Sequence, residues 1–190
     1  MTVILLTPKR FADDRGWFME TFHEKRYRDL SIEAGFVQDN HSFSASAGTI
    51  RGIHFQHAPH EQAKLVRCLR GRIYDVAVDL RPESPSFGQH VAAELSAENG
   101  RQLFIPAGYG HAFMTLEPDC EVAYKVDAHY APETEGGVRW DDPDLAIDWP
   151  LADAGIAEPV LSAKDALLPP LTDLTLDFAY DGRPLVPIKF

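Results

Sequence analysis

Turn-forming residues interrupt this chain too often for long helices: Gly35, Gly48, Gly71, Pro82, Pro85, Gly88, Gly100, Pro106, Gly108 and Pro118. Between them lie runs of strand length and β-favouring composition, at 64–70, 73–80, 89–95, 102–105, 112–116 and 121–126. In one of these, Ile73, Asp75, Ala77 and Asp79 alternate with Tyr74, Val76, Val78 and Leu80, the two-residue period of a strand. Short strands at close spacing predict an antiparallel sandwich or barrel. Helical periodicity is local: 24–34 reads as one short helix ending at Gly35, and Ser162 or Asp165 offers a cap for another. The fold class expected is therefore all-β, with a few short peripheral helices. The last forty residues, with Pro150, Pro159, Pro169, Pro170, Pro184 and Pro187, read as an irregular segment docked over the barrel by its apolar side chains.

At 190 residues with 45% hydrophobic side chains, the chain suits one well-buried core, so residues 1–190 are expected to form a single domain. The first nine residues carry no basic leader or cleavage signal, and no apolar run is long enough to span a bilayer, so no membrane association is expected. Cys68 and Cys120 alone do not make a disulfide framework, which points to core packing and a reducing, cytoplasmic setting. A formal net charge of −11 argues against a nucleic-acid surface. The charge is uneven, however: Arg51, Lys64, Arg67, Arg70 and Arg72 face only Glu61 within 51–72. Arg67, Arg70 and Arg72 read equally well as solvating strand faces, whereas Arg51 and Lys64 are candidates for a small anion site.

Gly100, Pro106, Gly108 and His111, spaced by five, one and two residues, resemble the second motif of the cupin jelly rolls, with Thr115 where that pattern usually has Asn. Its physical content is a tight Pro/Gly turn that delivers a histidine from the next strand into a barrel, although a histidine so placed is also compatible with plain core packing. The first cupin motif would add two alternating histidines and a glutamate to make a metal site. Here His54 is followed by Phe55 and Gln56, and His57 and Glu61 lack the spacing. The expectation is a cupin-type jelly-roll barrel of antiparallel strands without a metal. A metal-dependent cupin built on His54, His57, Glu61 and His111 is one alternative, and a sugar-binding module without turnover is another. Arg51, His54 and Lys64 inside one barrel imply an anion or proton chemistry, since idle buried charges are costly. Arg51 and His54 are three apart, so a regular strand would place them on opposite faces, and a bulge near Gly52 is required to unite them.

These stretches, together with Asp14-Arg15-Gly16-Trp17-Phe18-Met19-Glu20, Gln38-Asp39-Asn40-His41-Ser42, Gln62 to Val66, Asp75 to Arg81, Ser84-Pro85-Ser86-Phe87-Gly88, Ile105 to Phe113, Tyr124-Lys125 and Leu161 to Asp165, resemble the dTDP-4-dehydrorhamnose 3,5-epimerase family in order over nearly the whole chain. The resemblance implies an isomerase that moves protons at C3 and C5 of dTDP-4-dehydro-6-deoxy-D-glucose, next to its C4 ketone. The single-carbon epimerases of related deoxysugars are the alternative. It implies His54 as the base with Asp165 as its carboxylate partner, Lys64 as the cation for the enolate oxygen with His111 close by, and Tyr124 as the acid. These side-chain types suit the chemistry: imidazole titrates near neutrality, and a phenol keeps its proton there. For the nucleotide end it implies Arg15, Glu20, Gln38, Asn40, Arg51, Glu135 and Lys164, with Tyr130 stacked on thymine. It further implies no metal and no cofactor, and a homodimer in which an N-terminal strand crosses to the partner. One departure is local: around His111 the small residues Gly110 and Ala112 stand on swapped sides relative to the family's usual order, which bears on the contour of the pocket.

Overall fold

The computed structural model describes residues 1–188, so the last two positions of the expected 1–190 domain lie outside the described residues. The strands are β1 (Ile4–Leu6), β2 (Arg10–Asp13), β3 (Gly16–Met19), β4 (Gln38–Ser44), β5 (Ile50–Gln56), β6 (Lys64–Arg70), β7 (Arg72–Asp79), β8 (His90–Ser96), β9 (Gln102–Ile105), β10 (Tyr109–Thr115), β11 (Cys120–Val126) and β12 (Glu135–Gly137). One short helix, α1 (Glu24–Asp29), lies between β3 and β4. All strand pairs are antiparallel, in a sheet of order β1-β9-β6-β11-β4, a second of order β12-β5-β10-β7-β8, and a separate β2-β3 hairpin. The all-β jelly roll expected from the sequence is the fold observed.

Three apolar clusters organise the layers. The first, including Val66, Ile73, Ala77, Leu95, Leu103, Ile105, Phe113 and Val122, fills the space between the two sheets. The second gathers Ile50, Ile53, Val76, Val78, Leu80, Ala112 and Met114 with Leu145, Trp149, Leu171 and Phe178, so the C-terminal segment covers the outer face of the β5-β10-β7 sheet. The third packs Tyr27 and Ile32 against Leu65 and Phe104 on the outer face of the other sheet. This explains why β7 is apolar on both faces: Ile73 and Ala77 point inward, while Val76 and Val78 meet the C-terminal segment. Each fully buried aliphatic side chain contributes about 1.5–3 kcal/mol, which makes that segment part of the core.

Arg81 fastens this arrangement. Its buried guanidinium donates from Nε (2.8 Å) and Nη2 (2.7 Å) to the Asp79 carboxylate, from Nη2 to the Tyr109 hydroxyl (2.6 Å), and from Nη1 to Asp181 (3.0 Å). Ser84 and Ser86 donate to the same Asp79 oxygen at 2.7 and 2.8 Å. A buried charge pair is tolerable only with its remaining hydrogen bonds made, and here they are. The Asp79-Leu80-Arg81 and Ser84-Pro85-Ser86 motifs are thus architectural.

Several expectations need correction. The helix expected over 24–34 stops at Asp29. Ile32 N–H bonds Tyr27 O and Ser31 N–H bonds Arg28 O, both at 2.9 Å, with Ser31 at φ +66°; this is a Schellman ending with Ile32 packed beside Tyr27, built on a serine where the sequence suggested Gly35. The second helix is only a 3-10 turn, Asp165–Leu167. Strand β10 starts at Tyr109, directly off the Pro106/Gly108 turn, three residues before the expected 112–116 run. On the outer surface, Arg72 pairs with Glu94 and Glu117, and Arg70 lies 3.9 Å from Asp119. Both thiols are free and buried.

The required bulge is present in β5. His54 stands opposite His111 and Arg51 opposite Phe113, so β5 spends three steps where β10 spends two. Gly52 takes up the extra residue at φ +117°, a conformation open only to glycine at low cost. A Cβ there would lie 2.5 Å from the His111 carbonyl oxygen and 2.7 Å from the Ala112 Cβ. Gly52→Ala is therefore expected to cost roughly 3 kcal/mol or more, read as a lowered urea midpoint; an unchanged midpoint would refute this account of the bulge.

Candidate active site

A cavity of about 300 Å³ opens between the two sheets. The β5-β10 wall supplies Arg51, His54, Gln56, His111 and Phe113; the facing wall supplies Gln38, Asn40 and Ser42 from β4, Lys64 from β6 and Tyr124 from β11. Tyr130, Glu135, Ser162, Lys164 and Asp165 complete the rim. His54 and Tyr124 therefore enter the same space from opposing sheets. Within β5 this depends on the Gly52 bulge, which turns both Arg51 and His54 inward.

His54 Nε2 is 2.6 Å from Asp165 Oδ1. His54 is 30% exposed while Asp165 is buried, so the ring is reachable and its partner is not. Burial pushes the Asp165 carboxyl up, but hydrogen bonds and charge from His54, the Ser162 hydroxyl and the Gly52 N–H overcome it and hold it below the usual carboxylate range. Ser162 Oγ also accepts the Asp165 N–H at 3.0 Å, fixing the turn that presents the acid. An ionised carboxylate on Nε2 keeps the proton on that nitrogen and leaves the other ring nitrogen free to accept one.

On the neighbouring strand a second pair repeats the theme in a drier setting. His111 Nε2 is 2.7 Å from Asp75 Oδ1, and Asp75 is fully buried. Burial lowers His111, partly opposed by Asp75, so this imidazole is neutral at neutral pH. Lys64 is also buried, its Nζ 3.4 Å from the His54 carbonyl oxygen. Burial brings its pKa down to about 8, against the pull of Asp75 and Glu135. Burial raises Tyr124, with Arg51 opposing and Glu135 assisting, so the phenol holds its proton, and its ring lies 6.4 Å edge-on from His111.

The rim is a polar lattice. Glu135 accepts from the Tyr130 hydroxyl at 2.8 Å and pairs with Lys164 at 2.5 Å. Tyr130 N–H donates to Gln38 Oε1 at 3.1 Å, and Gln38 Nε2 donates to Asn40 Oδ1 at 2.9 Å. Arg51 is anchored to β4 through Ser44 Oγ (3.1 Å) and Phe43 O (2.9 Å). Buried Gln56 accepts the Ala131 N–H at 2.9 Å and donates to His60 O at 2.6 Å, bracing the loop that carries Tyr130.

Of the residues expected at the site, Arg15 and Glu20 are the two that this cavity does not contain. Both sit at the β2-β3 hairpin, where Arg15 bonds Asp13 and Glu20 bonds Arg26. His57 is drawn away to Asp177, 3.1 Å, and stacks on Phe178, and Glu61 does not line the cavity. The metal set His54, His57, Glu61 and His111 is therefore not assembled, and among the described residues no group of three or more His, Cys, Asp or Glu is placed to hold a metal ion. The swapped small residues prove neutral to the pocket: Gly110 packs on Ile53 and Leu80 and Ala112 belongs to the outer cluster, both on the far face of β10. From the sequence, Asp75, Gln56 and Phe113 carry no site role, and Ser162 is read only as a candidate helix cap. The alternation that puts Asp75 on the same face as Ala77 was a usable signal for the first of these.

The family profile described as dTDP-4-dehydrorhamnose 3,5-epimerase matches residues 1–173. The dTDP-4-dehydrorhamnose 3,5-epimerase of Sinorhizobium fredii is 50% identical over 178 residues, covering 94% of this chain and 89% of its own. A crystal structure of that enzyme from Bacillus anthracis, with TDP and PPi bound, is 49% identical with a TM-score of 0.84, covering 88% of this chain and 93% of that one. A Legionella pneumophila structure, of a dTDP-6-deoxy-D-glucose-3,5-epimerase in complex with dTDP-4-keto-L-rhamnose, is 44% identical with a TM-score of 0.86, covering 91% and 89%.

Proposed function

This chain belongs to the dTDP-4-dehydrorhamnose 3,5-epimerase family, and from that premise we propose how its cavity carries out the isomerisation of dTDP-4-dehydro-6-deoxy-D-glucose to dTDP-4-dehydro-L-rhamnose. The observation that carries the reading is the entry of His54 and Tyr124 into one cavity from opposite sheets. Hydrogens on C3 and C5 are acidified by the C4 ketone between them. The His54 nitrogen not bonded to Asp165 removes one, and Asp165 stabilises the imidazolium that forms. The electrons move onto the ketone oxygen, where the Lys64 ammonium meets the developing negative charge and His111 lies beside it. Inversion requires a proton from the other face of the ring, and Tyr124 supplies it from the opposing wall. Once His54, which solvent can reach, has released its proton and Tyr124 has regained one, the same cycle serves the second carbon.

At the nucleotide end, Arg51 and Lys164 bind the diphosphate through charge-assisted hydrogen bonds, Tyr130 stacks on thymine, and Glu135, Gln38 and Asn40 fix the deoxyribose and base. Lys164 adjoins Asp165 on one turn, so nucleotide binding and the catalytic pair share a support. Arg15 and Glu20 serve the pocket of a second subunit in a homodimer with an exchanged N-terminal strand. In support, the β2-β3 hairpin exposes Trp17 (57%) and Phe18 (68%) and, among the described residues, pairs with no other strand, an apolar surface suited to burial in an interface. The reading takes the chain as one domain, since the C-terminal segment completes the second cluster. It also assigns a cytoplasmic setting, which suits two free thiols; no helix among the described residues is long and apolar enough to cross a membrane.

His54→Ala is expected to abolish uptake of solvent deuterium at C3 and C5, followed by NMR, while dTDP still binds; exchange at the wild-type rate would remove His54 as the base. Tyr124→Phe should depress epimerisation more than the first deuterium exchange, and equal loss of both would count against the phenol as acid. Because the Lys64 ammonium is needed and its pKa is brought down to about 8, kcat should fall as pH rises through about 8, and a flat profile to pH 10 would disprove that role. Arg15→Ala and His54→Ala subunits, each inactive alone, should regain part of the activity when mixed, because a mixed dimer holds one intact site; no recovery among verified mixed dimers would show that Arg15 does not act across the interface.

A further inference from the structure

Tyr130, assigned above to the thymine ring, stands on a stretch of chain that neither sheet supports. Ala128 to Ala131 lie outside every strand and helix, and the Tyr130 ring is 54% exposed, so neither a ladder nor packing fixes it. The backbone there is held by three carboxamides from other parts of the chain. Gln62 Nε2 donates to the Ala128 carbonyl oxygen at 2.8 Å. Gln56 Nε2 donates to the His129 carbonyl oxygen at 3.3 Å, and its Oε1 accepts the Ala131 N–H at 2.9 Å. Between these, Gln38 Oε1 accepts the Tyr130 N–H at 3.1 Å. Every residue from Ala128 to Ala131 thus has a backbone group bonded by a glutamine, and the hydroxyl end of the ring is fixed separately, by Glu135 at 2.8 Å.

We infer that Gln56 and Gln62 are positioning residues for nucleotide binding: they set the 128–131 backbone, and with it the Tyr130 ring, in place before the ligand arrives, a task that rests on the stacking role proposed above for Tyr130. An exposed ring on an unpaired loop samples many orientations, and a ligand that must select one of them binds more weakly by the cost of that ordering. Gln56 is built to prevent this. It is 4% exposed, and besides its two bonds to the loop it donates to the His60 carbonyl oxygen at 2.6 Å, so both hydrogens and the oxygen of the amide are in use. Its side chain therefore joins the 57–63 loop, on which Gln62 stands, to the loop of Tyr130. The roots of the two loops are tied as well, by the Ala63 N–H to Asp127 Oδ1 at 2.6 Å and the His57 N–H to the Thr134 carbonyl oxygen at 2.8 Å. Gln38 already has a task at the nucleotide, so Gln56 and Gln62 are the two members of the set that separate bracing from contact.

Gln56→Met keeps the length of the side chain and removes its hydrogen bonds to both loops. The Kd for dTDP, measured by calorimetry, and KM should each rise about tenfold. The kcat should stay within about twofold of wild type, because His54, Lys64 and Tyr124 are carried by strands rather than by this loop. Gln62→Met, which removes one bond to the loop, should shift Kd and KM in the same direction by less. A general loosening of the fold would not produce the next result: in a Tyr130→Ala background, Gln56→Met should raise the Kd by no more than about twofold, since the ring it positions is gone. Equal effects of Gln56→Met in the two backgrounds, or a wild-type Kd in Gln56→Met, would overturn the inference. If Tyr130→Ala itself binds dTDP as the wild type does, the assignment of Tyr130 fails and the inference with it, whereas a weakened Tyr130→Ala beside an unaffected Gln56→Met defeats the inference alone. Should Gln56→Met not fold, the same cycle run with Gln62→Met decides, and an unshifted Kd there overturns the inference.

Discussion

Gly52 turns Arg51 and His54 onto one face of β5, and its own N–H goes to the Asp165 carboxylate that orients His54. One inserted residue thus serves the site twice. Without it, strand parity would send either Arg51 or His54 into the outer apolar cluster, where neither could be solvated. The clearance behind Gly52 is closed by His111 and Ala112 of β10, so the bulge is fixed by packing and the position of His54 is as rigid as the sheet.

Around that bulge the fold sets two histidine–carboxylate pairs side by side, on neighbouring strands and in register. Their environments differ. His54 is reachable from solvent and its carboxylate is well supplied with donors, as the proton-carrying role proposed for it requires. His111 and Asp75 are buried, the first on the cavity wall and the second behind it. The difference comes from layer depth: Asp165 arrives on a turn at the rim, whereas Asp75 belongs to the central strand β7, covered on its outer face by the C-terminal segment.

Among the described residues that segment has no strand or long helix of its own, yet it shapes the cavity. It delivers Ser162, Lys164 and Asp165 to the cavity and buries the outer side of the sheet that carries both histidines. The Arg81 network ties it to the barrel beyond the site. The rim of the cavity therefore depends on docking of a stretch whose local sequence specifies little structure.

Much of this was legible in the residues. Alternation along 73–80 gave the strand and its two faces, the Pro106/Gly108 turn gave the delivery of His111, and the spacing of Arg51 and His54 demanded the bulge. These signals are local, set by side-chain period and by the few residues that tolerate a given turn. What only the tertiary structure decided is the long-range geometry: that Asp165 is buried while the His54 ring it bonds stays reachable, that Asp75 stands buried behind His111, that Ser31 rather than Gly35 ends α1, that Gly110 and Ala112 face away from the pocket, and that Arg15 and Glu20 lie outside the cavity of their own chain. Each depends on which surfaces are covered by elements distant in sequence, and desolvation, unlike backbone period, is a property of the assembled layers.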